Sequence, residues 1–191
     1  MLTQDSLCSR EHYARLRTIF RALVIEHKEE RRVSLGDHVV LCFEDDLTML
    51  YQVQETLRLE LVFAPEMIQD ELDRYNPLIP DGSNWKATFM VEYVEEDGRR
   101  PALMRLVGIE RCVWMQVEGC EAIRPKVNED LEDGAPDCNA TVHFMRFELT
   151  AAMAAMAKAG APIFAGIDHP ACQARTQVAE TVRASLAGDL A

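Results

Sequence analysis

The hydrophobic period changes once along this chain, and that change limits the fold more than any other feature. Up to residue 75 the longer apolar patterns have helical spacing. From Trp85 onward, Trp85, Ala87, Phe89, Val91 and Tyr93 alternate with Lys86, Thr88, Met90 and Glu92, the two-residue period of a half-buried strand. Between the two regimes lies Asn76-Pro77-Leu78-Ile79-Pro80-Asp81-Gly82-Ser83-Asn84. Its prolines and its Pro-Asp-Gly turn continue neither a helix nor a central strand. Helices first and strands after describe an α+β fold: N-terminal helices packed on an antiparallel β-sheet meander, with short C-terminal helices.

The individual elements follow from local signals. Ser9 caps a helix over 10–32, with the stripe Tyr13, Leu16, Phe20, Leu23 and Val24, Ile19 at its edge, and Lys28, Arg31 and Arg32 at its C-terminal end. A strand spans His38 to Phe43, and Asp45 or Asp46 caps a second helix running to Leu61. Pro65 opens a third helix, 65–75. Asp97-Gly98 turns the strand from Trp85 onto residues 102–109, and further strands fall at 111–118, 121–127, 140–149 and 162–167. Residues 128–139 form an acidic loop, Thr150 caps a short helix over 151–158, and Asp168-His169-Pro170 starts a final helix to about residue 187. The 191 residues suffice for a single domain, with a helical part over about 9–75 and a mainly β part over about 85–167.

Apolar residues make up 48% of the chain, enough for a sizeable core, and the formal charge is −12. That balance speaks against nonspecific nucleic-acid binding and against anionic membrane surfaces, which both need a basic face. No apolar run approaches a membrane span, no signal peptide is visible, and the six cysteines lack C-x-x-C spacing. A cytoplasmic protein with reduced thiols is the expectation.

The second helix carries the most informative polar residues. Leu47, Leu50, Tyr51, Leu57 and Leu61 define an apolar arc, and Gln54 and Arg58 fall in its middle. An inward-facing arginine needs a carboxylate or an anion, because an unpaired buried charge costs several kcal/mol. On the first helix, His27 and Arg31 continue the apolar stripe. His27, Arg31, Gln54 and Arg58 are thus a candidate pocket for a small carboxylate or phosphate, with Glu44, Glu55 or Glu148 balancing charge. The competing reading is a buried ion network that fixes helix packing.

Other chemistries are weaker. His143 and His169, joined by His27 and acidic partners, are candidate ligands for iron, zinc or manganese. No H-x-x-x-H, E-x-x-H or H-x-H pairing supports them, and a hydrogen-bonded core histidine is the ordinary outcome on a strand such as 140–149. No nucleophile elbow, dinucleotide fingerprint or phosphate loop occurs, and the acids after Cys42 discourage its thiolate.

Several blocks occur together in a fixed order: His27-Lys28-x-x-Arg31-Arg32-Val33-x-Leu35-Gly36, Phe43-Glu44-Asp45, and Tyr51-Gln52-Val53-Gln54-Glu55-x-Leu57-Arg58. After them come Tyr75-Asn76-x-Leu78-Ile79-Pro80, His143-Phe144-x-Arg146-Phe147-Glu148-Leu149 and Asp168-His169-Pro170. This pattern resembles an uncharacterised bacterial family, a domain of unknown function, over roughly residues 5–188. The resemblance implies one full-length domain. It also implies encoding beside rubrerythrin-like and iron–sulfur proteins, hence a redox or iron–sulfur protein as partner and a link to oxidative stress. It assigns no catalytic residue and no cofactor. The leading expectation is a small-anion-binding or accessory protein, and a homodimer is the base-rate assembly. The alternatives are a metal-dependent enzyme using histidine and carboxylate ligands, and an interaction module without a ligand.

Overall fold

A computed structural model describes residues 1–62, 64–92, 103–129 and 141–191. The elements are α1 (Arg10–Glu29), β1 (Arg32–Leu35), β2 (Val39–Phe43), α2 (Asp46–Leu59), α3 (Pro65–Tyr75), β3 (Asn84–Val91), β4 (Val113–Val117), β5 (Lys126–Val127) and β6 (Val142–Glu148). They are followed by α4 (Ala151–Lys158), β7 (Ile163–His169), β8 (Cys172–Gln177) and α5 (Glu180–Gly188). The architecture is α+β, as the change of period requires.

The strands form two antiparallel sheets instead of one meander: a larger one in the order β1-β2-β3-β6-β5 and a smaller one in the order β4-β7-β8. Alternation on the large sheet explains the layering. Leu41, Phe43, Trp85, Ala87, Phe89, Met145 and Phe147 point to one face, where they meet Val113, Met115, Ile163 and Ile167 of the small sheet. Met153 and Ala157 of α4 and Val182 and Leu186 of α5 close that core. On the opposite face Phe144 packs with a second core built from Met49, Val53 and Leu57 of α2 and Leu72 of α3. The large sheet is therefore sandwiched between the small sheet and the helices α2 and α3.

Several boundaries differ from the sequence expectation. The first helix stops at Glu29, and Arg32–Leu35 pairs with β2 because Val33 and Leu35 alternate into the core. Residues 103–112 are helical and turn backbone, not a strand, since Leu103, Leu106 and Ile109 reach the core at a spacing of three. Pro170 does not start a helix. With Ala171 it makes the two-residue turn between His169 and Cys172, and β8 occupies the first half of the expected helix. The Asp97-Gly98 turn and residues 130–139 of the acidic loop lie outside the described residues.

Candidate functional site

The β1–β2 hairpin returns the chain so that α1 and α2 lie antiparallel, and each end of the pair holds a charged cluster. The cap of α2 organises the first. Asp45 accepts the Thr48 amide through Oδ1 at 2.9 Å, while Thr48 Oγ1 accepts the Asp45 amide, a reciprocal capping box. The other oxygen of Asp45 faces His27 Nε2 at 2.5 Å and Arg31 Nε at 3.4 Å. Burial alone would raise the Asp45 carboxyl, but the Thr48 amide, Arg31 and His27 outweigh it and hold it below the usual aspartate value.

Arg31 is the most enclosed charge of that cluster, 1% exposed. Its Nε donates to the Phe43 carbonyl at 3.0 Å, Nη1 to Ser185 Oγ at 2.8 Å, and Nη2 to the Glu44 carbonyl at 3.1 Å and to Asp189. Every part of the guanidinium fork is used. Burial pushes the Asp189 carboxyl up to about 6 against the pull of Arg31, and the nearby Asp45 charge adds to the rise. The Glu44 carboxylate takes a hydrogen bond from Thr88 instead, and Glu148 pairs with Arg146 at 2.8 Å.

The second cluster is at the other end. Gln54 is nine positions beyond the cap Asp45, about 14 Å along the helix at 1.5 Å per residue. Tyr13 and Arg17, one turn apart on α1, converge on Glu55. The Tyr13 hydroxyl donates at 2.8 Å, and Arg17 donates two bonds at 2.8 and 2.7 Å. Arg58 adds two more from the same side of α2, at 3.2 and 3.0 Å. The Arg17 hydrogen bonds, with those of Arg58 and Tyr13, hold Glu55 down to about 2, while burial and the adjacent Glu55 raise the Tyr13 phenol. One carboxylate thus faces two guanidinium groups, and the cluster keeps a positive charge.

Beside it opens a cavity of about 490 Å³. Leu7, Leu57, Val62 and Ile68 supply apolar wall, and Tyr13, Gln54 and Arg58 the polar part. Gln54 is buried, with its Oε1 accepting the Cys8 amide at 3.1 Å. The cap of α1, Ser9, accepts the His12 amide at 3.3 Å, and both Ser9 and Arg10 also border the cavity.

The four residues expected to form one pocket are therefore divided. Gln54 and Arg58 share the cavity; His27 and Arg31 belong to the other cluster. Arg58 is not buried in a leucine arc: its side chain is 34% exposed. The helix is turned from the expected face, burying Thr48, Met49, Val53, Gln54, Thr56 and Leu57 and leaving Leu61 exposed. Both sides of α2 are apolar because α1 covers one and the sheet with α3 the other, so leucine positions alone do not set its rotation.

His143 and His169 sit on different sheets. His143, on β6, is buried beside Phe89 and faces Asn128 Nδ2 at 3.3 Å. His169, at the end of β7, accepts the Ala171 amide on Nδ1 and faces the Val107 carbonyl with Nε2 at 3.3 Å. Among the described residues no three His, Cys, Asp or Glu side chains are grouped as metal ligands. Burial, with Glu44 nearby, raises the Cys42 thiol to about 11. From the sequence Tyr13 reads only as part of the apolar stripe of α1, and Arg17, Ser185 and Asp189 are not singled out. The Tyr13–Arg17 spacing of one turn was a usable signal, whereas Ser185 and Asp189 reach Arg31 only through the fold.

Comparisons with known proteins extend over the length of the chain. A crystal structure described as a novel protein of unknown function from Burkholderia pseudomallei has a TM-score of 0.92 and 48% identity to this chain, covering 100% of it and 99% of the other. No curated protein matches. Residues 1–190 match the model of a family described as protein of unknown function (DUF3501), and the chain belongs to that family.

Proposed function

We propose that the protein binds a small organic anion with an apolar body in the cavity between Gln54, Arg58 and α3. The observation that carries this reading is an excess cation beside a partly apolar cavity in a chain of net charge −12. Its volume of about 490 Å³ lies in the range of about 300–1,000 Å³ usual for small-molecule sites. Arg58 has a planar fork that suits a carboxylate or phosphate, and one third of it is open to solvent. Leu7, Leu57, Val62 and Ile68 offer a wall for an alkyl or aromatic body. Gln54, held by the Cys8 amide, presents its amide N–H₂ as a donor.

The test is calorimetric titration with straight-chain carboxylates of increasing length. Affinity rises with chain length until the cavity is filled and drops about tenfold or more in Arg58→Ala. A series in which no member binds, or in which Arg58→Ala binds equally well, overturns the assignment.

A further inference from the structure

Helix α1 is largely uncovered. Of its 20 residues only Tyr13 and Val24 are buried. Leu16, Ile19 and Leu23 stand 40%, 64% and 55% exposed, and with Phe20 and Leu50 they line a groove of about 230 Å³ between α1 and α2. A surface helix of a globular domain ordinarily turns its whole apolar stripe to the core. Here α2 meets one edge of that stripe and leaves the other facing out. The spacing 16, 19, 23 is the three-then-four step of a helix–helix seam.

We infer that a second copy of this chain covers the stripe, with the two α1 helices antiparallel across a twofold axis. Charge placement selects that occupant. Arg15 and Glu26 are eleven positions apart, so at roughly 100° per residue they lie about 20° apart around the helix, on the same outer flank of the seam. Arg15 is near the start of α1 and Glu26 near its end, and neither has an ion-pair partner among the described residues. In an antiparallel pair related by a twofold axis, a flank meets the same flank of its mate. Arg15 of each copy then faces Glu26 of the other, twice. The axis crosses the seam at the height of residues 20–21, with Leu16, Ile19 and Leu23 around it. A parallel pair would need the opposite flank, and Tyr13, Arg17 and Val24 there are already turned to α2.

Sedimentation velocity of the full chain at micromolar concentration tests the inference. The expected species has twice the 21.6 kDa protomer mass. Ile19→Glu raises the dissociation constant roughly 30-fold or more, as for a central interface residue. Arg15→Glu weakens association, and Arg15→Glu combined with Glu26→Arg restores it. Circular dichroism accompanies each variant, and Leu23→Ser carries the test should Ile19→Glu lose helical signal. A monomeric wild type, a dimer indifferent to both seam variants, or a double charge reversal that fails to recover association each overturns the arrangement.

Discussion

The α1–α2 pair carries an arginine–carboxylate cluster at each end, built from the same side chains and opposite in kind. Around Arg31 the guanidinium is sealed, each of its three nitrogens has a fixed acceptor, and the partners come from β2, the start of α2 and the end of the chain. Around Glu55 the partners come from α1 and α2 alone, and both Arg17 and Arg58 remain 34% exposed. Burial decides which cluster is locked into the fold and which keeps its cations partly open to solvent. A sealed ion cannot be unpaired without a cost of several kcal/mol, whereas a half-exposed one changes partner for about 1 kcal/mol or less.

The sharpest way to break that contrast is Arg31→Met. It leaves Asp45 and Asp189 without the guanidinium they share, with His27 beside Asp45 as the remaining partner, and we expect a loss of about 3–5 kcal/mol in urea unfolding. A smaller loss would mean that the cluster is more hydrated than its geometry indicates. Next comes pH. Asp189 titrates near 6 when folded against an ordinary 3.8, so between those values the folded chain holds a proton that the unfolded chain releases. Stability therefore falls as pH rises from about 4 to about 6, on the order of 3 kcal/mol from this group. Asp45 has the opposite sign: its depressed value adds stability above the ordinary one, lost as pH falls through the folded value. Asp189→Asn removes the first slope and keeps the second, which unfolding midpoints at about pH 3, 4, 5 and 7 separate.

The open cluster predicts smaller effects. Tyr13→Phe removes one hydrogen bond to the ionised Glu55 and costs about 1–2 kcal/mol. Arg58→Ala changes stability by less than about 1 kcal/mol, because Arg17 still holds Glu55, yet it lowers anion affinity. If Arg58→Ala destabilises as much as Arg31→Met, the two ends do not differ in role.

The difference between the clusters also marks how far sequence reasoning reached. The cap at Asp45, the start at Pro65 and the loop at 76–84 were readable because each is fixed by local backbone chemistry. The rotation of α2 was not, because Leu47, Leu50 and Tyr51 compete with Met49 and Val53 for the inside and only the layers around the helix settle it. Strands β1 and β8 were hidden for a related reason: Arg31 and Arg32 read as a helix end, and Pro170 as a helix start. The candidate pocket was half legible. Gln54 and Arg58 do share a cavity, but His27 and Arg31 are at the far end of the helix pair, and Asp189 carried no local signal at all.

The span of the Arg31 contacts has a consequence for how the chain is made. Ser185 and Asp189 follow Arg31 by 154 and 158 residues. At roughly 5–20 residues per second, a ribosome needs about 8–30 s to deliver them. During that interval the guanidinium has its neighbouring carbonyls and Asp45 but not the Ser185 hydroxyl or the Asp189 carboxylate. The nascent helical layer therefore waits, incomplete, for the last stretch to emerge. A chaperone that shields the hairpin end of α1 during elongation would act on a contact that closes across 158 residues.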